Sequence, residues 1–101
     1  HLNPYPMPIW TYHLDEFRLI SDYDLNYTIN ELIGIAINEA ERHGLKPTTI
    51  CHLKIDNDVI IEVRSEDGLA MKLIKAKDPI KALRRFYENE DAMKCMPMQQ
   101  T

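Results

Sequence analysis

The chain has 101 residues, of which 16 are acidic, 12 are basic and 45% are hydrophobic, and its formal net charge is −4. This length suits one domain with a single modest core, and no apolar run approaches the roughly 18 residues of a membrane span. The overall acidity argues against strong nonspecific binding to nucleic acids, for which a basic domain is typical.

The N-terminal quarter of the chain contains six of the eight aromatic side chains. Prolines at positions 4, 6 and 8 exclude a regular helix at the start. Residues 9–14 are a candidate strand, because Trp10 and Tyr12 fall on one side of an extended chain. We interpret residues 1–27 as an arm that packs on the domain or is swapped between domains, with three candidate interface aromatics, Tyr5, Trp10 and Tyr12.

The clearest element is a helix over residues 29–43. Thr28 followed by Glu31 is a capping-box pattern at its start, and Gly44 is suited to ending it. Its acidic side chains lie off the apolar stripe, so the outer face of this helix is negatively charged. The stripe repeats at intervals of three and four residues and comprises Ile29, Leu32, Ile33, Ala36, Ile37 and Ala40.

Three strands follow, because apolar and polar side chains alternate over residues 49–55, 59–64 and 69–74. Asp56-Asn57-Asp58 forms the first turn and Ser65-Glu66-Asp67-Gly68 the second. Such short connections predict an antiparallel meander, since a parallel crossover needs a dozen or more residues. The alternation predicts one buried face and one polar face.

A second helix begins at Asp78-Pro79, because Asp favours the N-cap and Pro the first helical position. Its stripe contains Leu83 and Phe86, and it ends near Glu90. Residues 92–101 show no periodicity and are predicted to be a mobile tail.

The predicted fold is therefore α+β, with residues 28–91 as an α-β-β-β-α core. It is a three-stranded antiparallel meander, with residues 9–14 as a candidate fourth strand, and both helices pack on one face. The predicted core comprises Ile29, Leu32, Ile33, Ala36, Ile37, Ala40, Leu53, Ile55, Val59, Ile61, Val63, Leu69, Met71, Leu73, Leu83 and Phe86.

Cys51 and Cys95 do not form a disulfide pattern, since one falls in a predicted strand and the other in the predicted tail. We interpret both as reduced thiols in a cytoplasmic protein. The histidines and cysteines are scattered without zinc-ligand spacing. The sequence predicts no metal, no cofactor and no membrane association.

The strongest functional signal is a basic stretch, residues 69–87, which holds six of the twelve Lys and Arg residues against the single acid Asp78. A cluster of this kind can contact acidic protein surfaces or phosphates. The candidate binding residues, for protein or phosphate, are Lys75, Lys77, Lys81, Arg84 and Arg85.

The element order over residues 29–89 is similar to that of double-stranded RNA-binding domains. In that family, lysines at the start of the second helix hold phosphates, and Lys75, Lys77 and Lys81 surround the matching place. The chain departs from the family in its short first turn and in the interruption of the lysine run by Asp78 and Pro79. The resemblance implies a nucleic-acid-binding alternative.

Our leading hypothesis is a small non-catalytic binding protein, a regulatory or inhibitory adaptor that acts through a protein partner and is a candidate homodimer. The alternative is a nucleic-acid-binding module that uses the basic start of the second helix. A second alternative is a small enzyme that uses N-terminal carboxylates, because paired carboxylates beside aromatic side chains suit glycoside chemistry. Those carboxylates belong to Asp15, Glu16, Asp22 and Asp24.

Overall fold

The computed structural model describes residues 7–14, 16–21 and 26–98. A single 3₁₀ turn, Glu90–Ala92, connects the second helix to the last strand. Among the described residues, no helix has the length and apolar character needed to cross a membrane. In chain order the elements are β1 (Ile9–His13), β2 (Glu16–Ser21), α1 (Ile29–Arg42), β3 (Pro47–Ile55), β4 (Asp58–Ser65), β5 (Ala70–Lys75), α2 (Pro79–Glu88) and β6 (Lys94–Pro97).

The described strands form one six-stranded antiparallel sheet in the order β2-β1-β5-β4-β3-β6. The α+β class is as predicted, but the three- or four-stranded meander is wrong. Strands β3, β4 and β5 form the predicted meander, and the candidate strand β1 pairs with β5. Neither β2 nor β6 was predicted from the sequence as a strand of its own. All four side chains of β6 are exposed, so burial imposes no alternating pattern on its sequence.

The two helices pack on opposite faces of the sheet, which corrects the prediction of a single packed face. Ile61 and Leu73 pack with α1 in one buried cluster. Their strand neighbours Ile60 and Ile74 pack with α2 in another. Because successive side chains point to opposite faces, the two clusters lie on opposite sides of the same strands. The apolar run Val59-Ile60-Ile61 is typical of a strand buried on both sides.

Most of the predicted core is buried or half-buried, with one clear error. Leu69 is 44% exposed, because it lies in the connection before β5 rather than inside that strand. Buried apolar side chains of the α2 face that the sequence analysis did not include are Ile60, Ile74, Ala76 and Ala82.

Both helix starts follow their predicted caps. The Glu31 carboxylate accepts the Thr28 backbone N–H at 2.8 Å, and Thr28 Oγ1 accepts the Glu31 N–H at 3.1 Å. At the second helix, the Asp78 carboxylate accepts the Lys81 N–H at 3.1 Å. Gly44 has a φ of 84° after the end of α1, a conformation that glycine adopts without steric cost. These caps fix where each helix begins over the sheet.

A buried ion pair lies between the sheet and α2. Lys72 Nζ is 3.2 Å from Glu62 Oε2 on the neighbouring strand, and both side chains are less than a tenth exposed. Arg64 Nε donates to the other oxygen of Glu62 at 2.8 Å. The Lys72 ammonium also lies 5.3–5.7 Å from three aromatic ring centroids, those of Tyr12, Phe86 and Tyr87, a separation suited to cation–π attraction.

A disulfide joins Cys51 of β3 to Cys95 of β6, so the prediction of two reduced thiols is wrong for this structure. The error follows from the missed strand: Cys51 and Cys95 stand directly opposite each other only because β6 pairs with β3.

Candidate ligand-binding cavity

Two lysines flank one apolar side chain in a row across the sheet. Lys54 of β3 stands opposite Val59 of β4, and Val59 stands opposite Lys75 of β5. Val59 belongs to the α1-side cluster, so its cross-strand neighbours point to the same face. Neighbouring strands lie about 5 Å apart, which places the two lysine backbones roughly 10 Å apart with Val59 between them.

This row forms one wall of a cavity of about 530 Å³ at the start of α1. Such a volume falls within the usual range for ligand sites. Leu32 and Val59 provide an apolar floor, while lysine, asparagine and tyrosine side chains provide polar groups. Among the residues that the structure describes, no acidic side chain lines it. The lining residues are Met7, Asn26, Tyr27, Thr28, Ile29, Leu32, Lys54, Asn57, Val59, Lys75 and Lys77.

The cavity therefore combines positive charge with an apolar surface. Three lysines line it, of which Lys75 and Lys77 also interact within the protein, and the nearby N-terminus of α1 adds a weaker positive potential. The Thr28–Glu31 capping box already occupies two of the backbone N–H groups at this helix start. The lysines, rather than the helix end, are therefore the main electrostatic feature of the cavity.

A smaller cavity of about 290 Å³ adjoins the first and shares Lys77 and Asn57 with it. Its charges are mixed. Arg85 Nη2 lies 2.9 Å from Asp56 Oδ2, and Arg85 Nη1 lies 3.9 Å from Asp58 Oδ2. The acids of the β3–β4 turn thus neutralise the positive charge of Arg85, so this arginine attracts an external anion less strongly. The other charged residues lining this cavity are Asp78 and Lys81.

Burial raises the pKa of Asp58 above its usual value, while the Arg85 guanidinium opposes that rise. We expect Arg85→Gln to raise the pKa of Asp58 further, because the opposing positive charge is removed. An NMR titration of the Asp58 carboxyl carbon measures this change. A group whose folded pKa exceeds its unfolded pKa favours the fold at low pH, and this contribution is lost as the pH rises through the folded pKa.

Arg84→Gln is the matched control, since Arg84 is exposed on the same helix and is not among the groups that shift Asp58. Equal pKa changes in the two variants would contradict a specific Arg85–Asp58 interaction.

The structure divides the predicted basic residues among three places. Lys75 and Lys77 line the larger cavity, and Lys77, Lys81 and Arg85 line the smaller one. Arg84 is exposed and lines neither. Lys54 was not predicted as a binding residue, because it lies 21 positions before Lys75 and outside the basic stretch. The tight Asp56-Asn57 turn sets the register that places Lys54 opposite Val59. The position of Lys54 could therefore have been predicted from this turn.

The candidate interface aromatics have different placements. Trp10 and Tyr12 are half-buried in β1 and pack against the α2-side cluster, where the Tyr12 and Phe17 ring centroids are 4.8 Å apart. Tyr5 lies outside the described residues. This packing gives Trp10 and Tyr12 a role in the domain itself.

Of the carboxylates considered for catalysis, Glu16 alone is described, and Asp15, Asp22 and Asp24 lie outside the described residues. Glu16 is exposed beside a small cavity of about 40 Å³ that also contacts His13 and His43. In the described part of the chain, no three His, Cys, Asp or Glu side chains are grouped so that they could hold a metal ion.

Comparison with known proteins gives no family: no family model, curated protein or solved structure matches the chain.

Proposed function

We propose that this protein is a small non-catalytic binding protein. The larger cavity, called the lysine cavity below because Lys54, Lys75 and Lys77 line it, would bind an acidic segment of a protein partner. The observation that carries the proposal is the convergence of Lys54, Lys75 and Lys77 on one cavity with an apolar floor. A peptide that combines a carboxylate with an apolar side chain has groups suited to both surfaces. Such a contact would suit a regulatory or inhibitory adaptor.

The distribution of acids supports a peptide rather than a nucleic acid. A nucleic-acid strand carries regularly spaced phosphates and is usually bound along a continuous basic surface. Here Asp56, Asp58 and Asp78 line the smaller cavity together with Lys77 and Lys81. A phosphate chain that continued from the larger cavity into the smaller one would meet these acids, whereas a short acidic peptide need contact only the larger cavity.

Charge reversal tests the proposal. A peptide array that samples acidic and apolar positions supplies the probe, and fluorescence anisotropy in 150 mM salt measures the affinity of selected peptides. We expect Lys54→Glu/Lys75→Glu to weaken acidic peptide binding about tenfold or more, equivalent to about 1.4 kcal/mol. At this ionic strength, long-range attraction between exposed charges is largely screened, so the loss reports local contacts.

The matched control is Lys46→Glu/Arg84→Glu, which changes the net charge equally at exposed residues outside the cavity. Binding by this control should stay within about twofold of the original. Equal weakening by both double variants, or an array without any bound acidic peptide, would remove the proposal. Binding of an RNA duplex that is lost in Lys81→Glu/Arg84→Glu and kept in Lys54→Glu/Lys75→Glu would favour the nucleic-acid alternative.

The cytoplasmic location stays a prediction, and the Cys51–Cys95 disulfide bears on it. Disulfides persist in oxidising compartments and are rare in the cytosol. A cytoplasmic location therefore predicts that much of the protein carries reduced thiols, which rapid alkylation in intact cells would measure.

A further inference from the structure

We propose that the Cys51–Cys95 disulfide is a redox latch on the β3 edge of the sheet, and that reduction by a dithiol opens this edge to β6 of a second copy. The inference does not depend on the lysine cavity. It rests on the pairing of β6, on the different exposure of the two cysteines and on the small amount of side-chain burial in β6.

Apart from the disulfide, few contacts hold β6 against the rest of the domain. All four of its side chains are exposed, and among the described strands it pairs with β3 alone. Beyond the disulfide, the described contacts of this segment are a four-residue ladder with β3, the half-buried Met98 that follows it and the half-buried Met93 before it, which packs against the α2-side cluster. A strand that buries so little apolar surface has a low cost of local opening.

The hydrogen-bond pattern can be assigned from one backbone contact. The Met98 N–H donates to the Thr48 carbonyl at 2.8 Å, in register with the β3–β6 pairs. Hydrogen-bonded and non-hydrogen-bonded pairs alternate along an antiparallel ladder. Ile50–Met96 and His52–Lys94 are therefore hydrogen-bonded pairs, whereas Cys51–Cys95 is not. Consequently, β6 protects the Ile50 and His52 amides, and β4 protects the Cys51 and Leu53 amides.

The different exposure of the two cysteines determines which sulfur atom a reductant attacks first. Cys51 is completely buried and Cys95 is exposed, so a dithiol thiolate attacks Cys95 Sγ and expels the Cys51 thiolate, which takes a proton. The second thiol of the reagent then attacks the mixed disulfide and releases the Cys95 thiol. The reagent becomes a cyclic disulfide, and the protein gains two electrons and two protons.

A second copy's β6 is the occupant because its sequence already fits the β3 register. Exchange of an identical strand recreates the same backbone pairs and the same Cys51–Cys95 contact between two chains, which is a low-cost route to a dimer. The connection around the 3₁₀ turn Glu90–Ala92 would then pass from one chain to the other.

Hydrogen exchange followed by NMR tests the latch, with dithiothreitol as the dithiol. We expect the Ile50 and His52 amides to exchange about tenfold faster or more after reduction, while the Cys51 and Leu53 amides keep their protection. Cys95→Ser should reproduce this pattern without reagent. Unchanged exchange at Ile50 and His52 after reduction would overturn the latch, and so would equal acceleration of all four amides, which indicates unfolding instead of release of one strand.

Isotope mixing tests the exchange of β6. Equal amounts of ¹⁵N-labelled and unlabelled protein are reduced together at high concentration, reoxidised and digested, and cross-linked peptides are identified by mass spectrometry. We expect peptides that join a labelled Cys51 to an unlabelled Cys95, and none in a mixture that was never reduced. Cross-links confined to one isotope, or mixed links dominated by Cys51–Cys51 and Cys95–Cys95, would overturn the exchange.

Discussion

Replacing Lys72 by Ala should lower the free energy of unfolding by about 3–5 kcal/mol, because it leaves a buried carboxylate without its lysine. The Glu62 side chain is 9% exposed, so water cannot replace the lost ammonium at low cost. Arg64 still contacts Glu62, which favours the lower part of this range. Equilibrium unfolding in urea, followed by circular dichroism, measures the change.

The matched control removes both charges. Lys72→Met/Glu62→Leu keeps similar side-chain volumes and should be much closer to the original stability than Lys72→Ala, since replacing a whole buried ion pair by apolar groups is often neutral or stabilising. Arg64 loses Glu62 in this variant but keeps Glu90 at 3.9 Å, and its side chain is 40% exposed and can be hydrated. If the double variant is destabilised as much as Lys72→Ala, the charge on Glu62 is not the cause.

Phe86→Ala should also cost about 3–5 kcal/mol, the usual range for deleting a large buried aromatic side chain. Phe86 is 1% exposed and lies in the α2-side cluster with Ile60 and Ile74. A small domain typically has only 5–15 kcal/mol of total stability. We therefore expect a large fall in the urea midpoint, and partial unfolding at room temperature if the total stability is near the lower limit.

Ile80→Ala is the control for Phe86→Ala, because Ile80 lies on the same helix and is 59% exposed. Its change should be within about 0.5 kcal/mol, as for most surface substitutions. Similar losses in the two variants would contradict the packing of α2 through Phe86 on the second face of the sheet.

Sequence patterns predicted the elements whose signals are local. The capping residues Thr28 and Glu31 marked the start of α1, and Asp78-Pro79 marked the start of α2. The turn Asp56-Asn57 located the junction of β3 and β4. In each case the residues that specify the cap or turn lie within the cap or turn itself, so it could be predicted without knowing any contact between distant segments.

The remaining features depend on contacts between distant segments. The exposed strand β6 is specified by the β3 edge that it meets, and its own sequence has no burial pattern. The opposite placement of the helices depends on how each connection crosses the sheet, although Ile60 and Ile74 indicated a second apolar face. The site was predicted in part: Lys75 and Lys77 were identified from clustering in sequence, whereas Lys54 joins them only through strand register.

The position of Pro97 in β6 has a consequence for aggregation. Cys95 and Pro97 occupy the pairs that do not hydrogen-bond to β3, so their backbone groups point away from the sheet. Proline has no N–H, which leaves Cys95 as the sole outward backbone donor within this four-residue edge strand. An added strand would find one outward N–H and two outward carbonyls here, one donor fewer than an edge without proline presents. The last strand is therefore a poorer template for uncontrolled stacking of further chains.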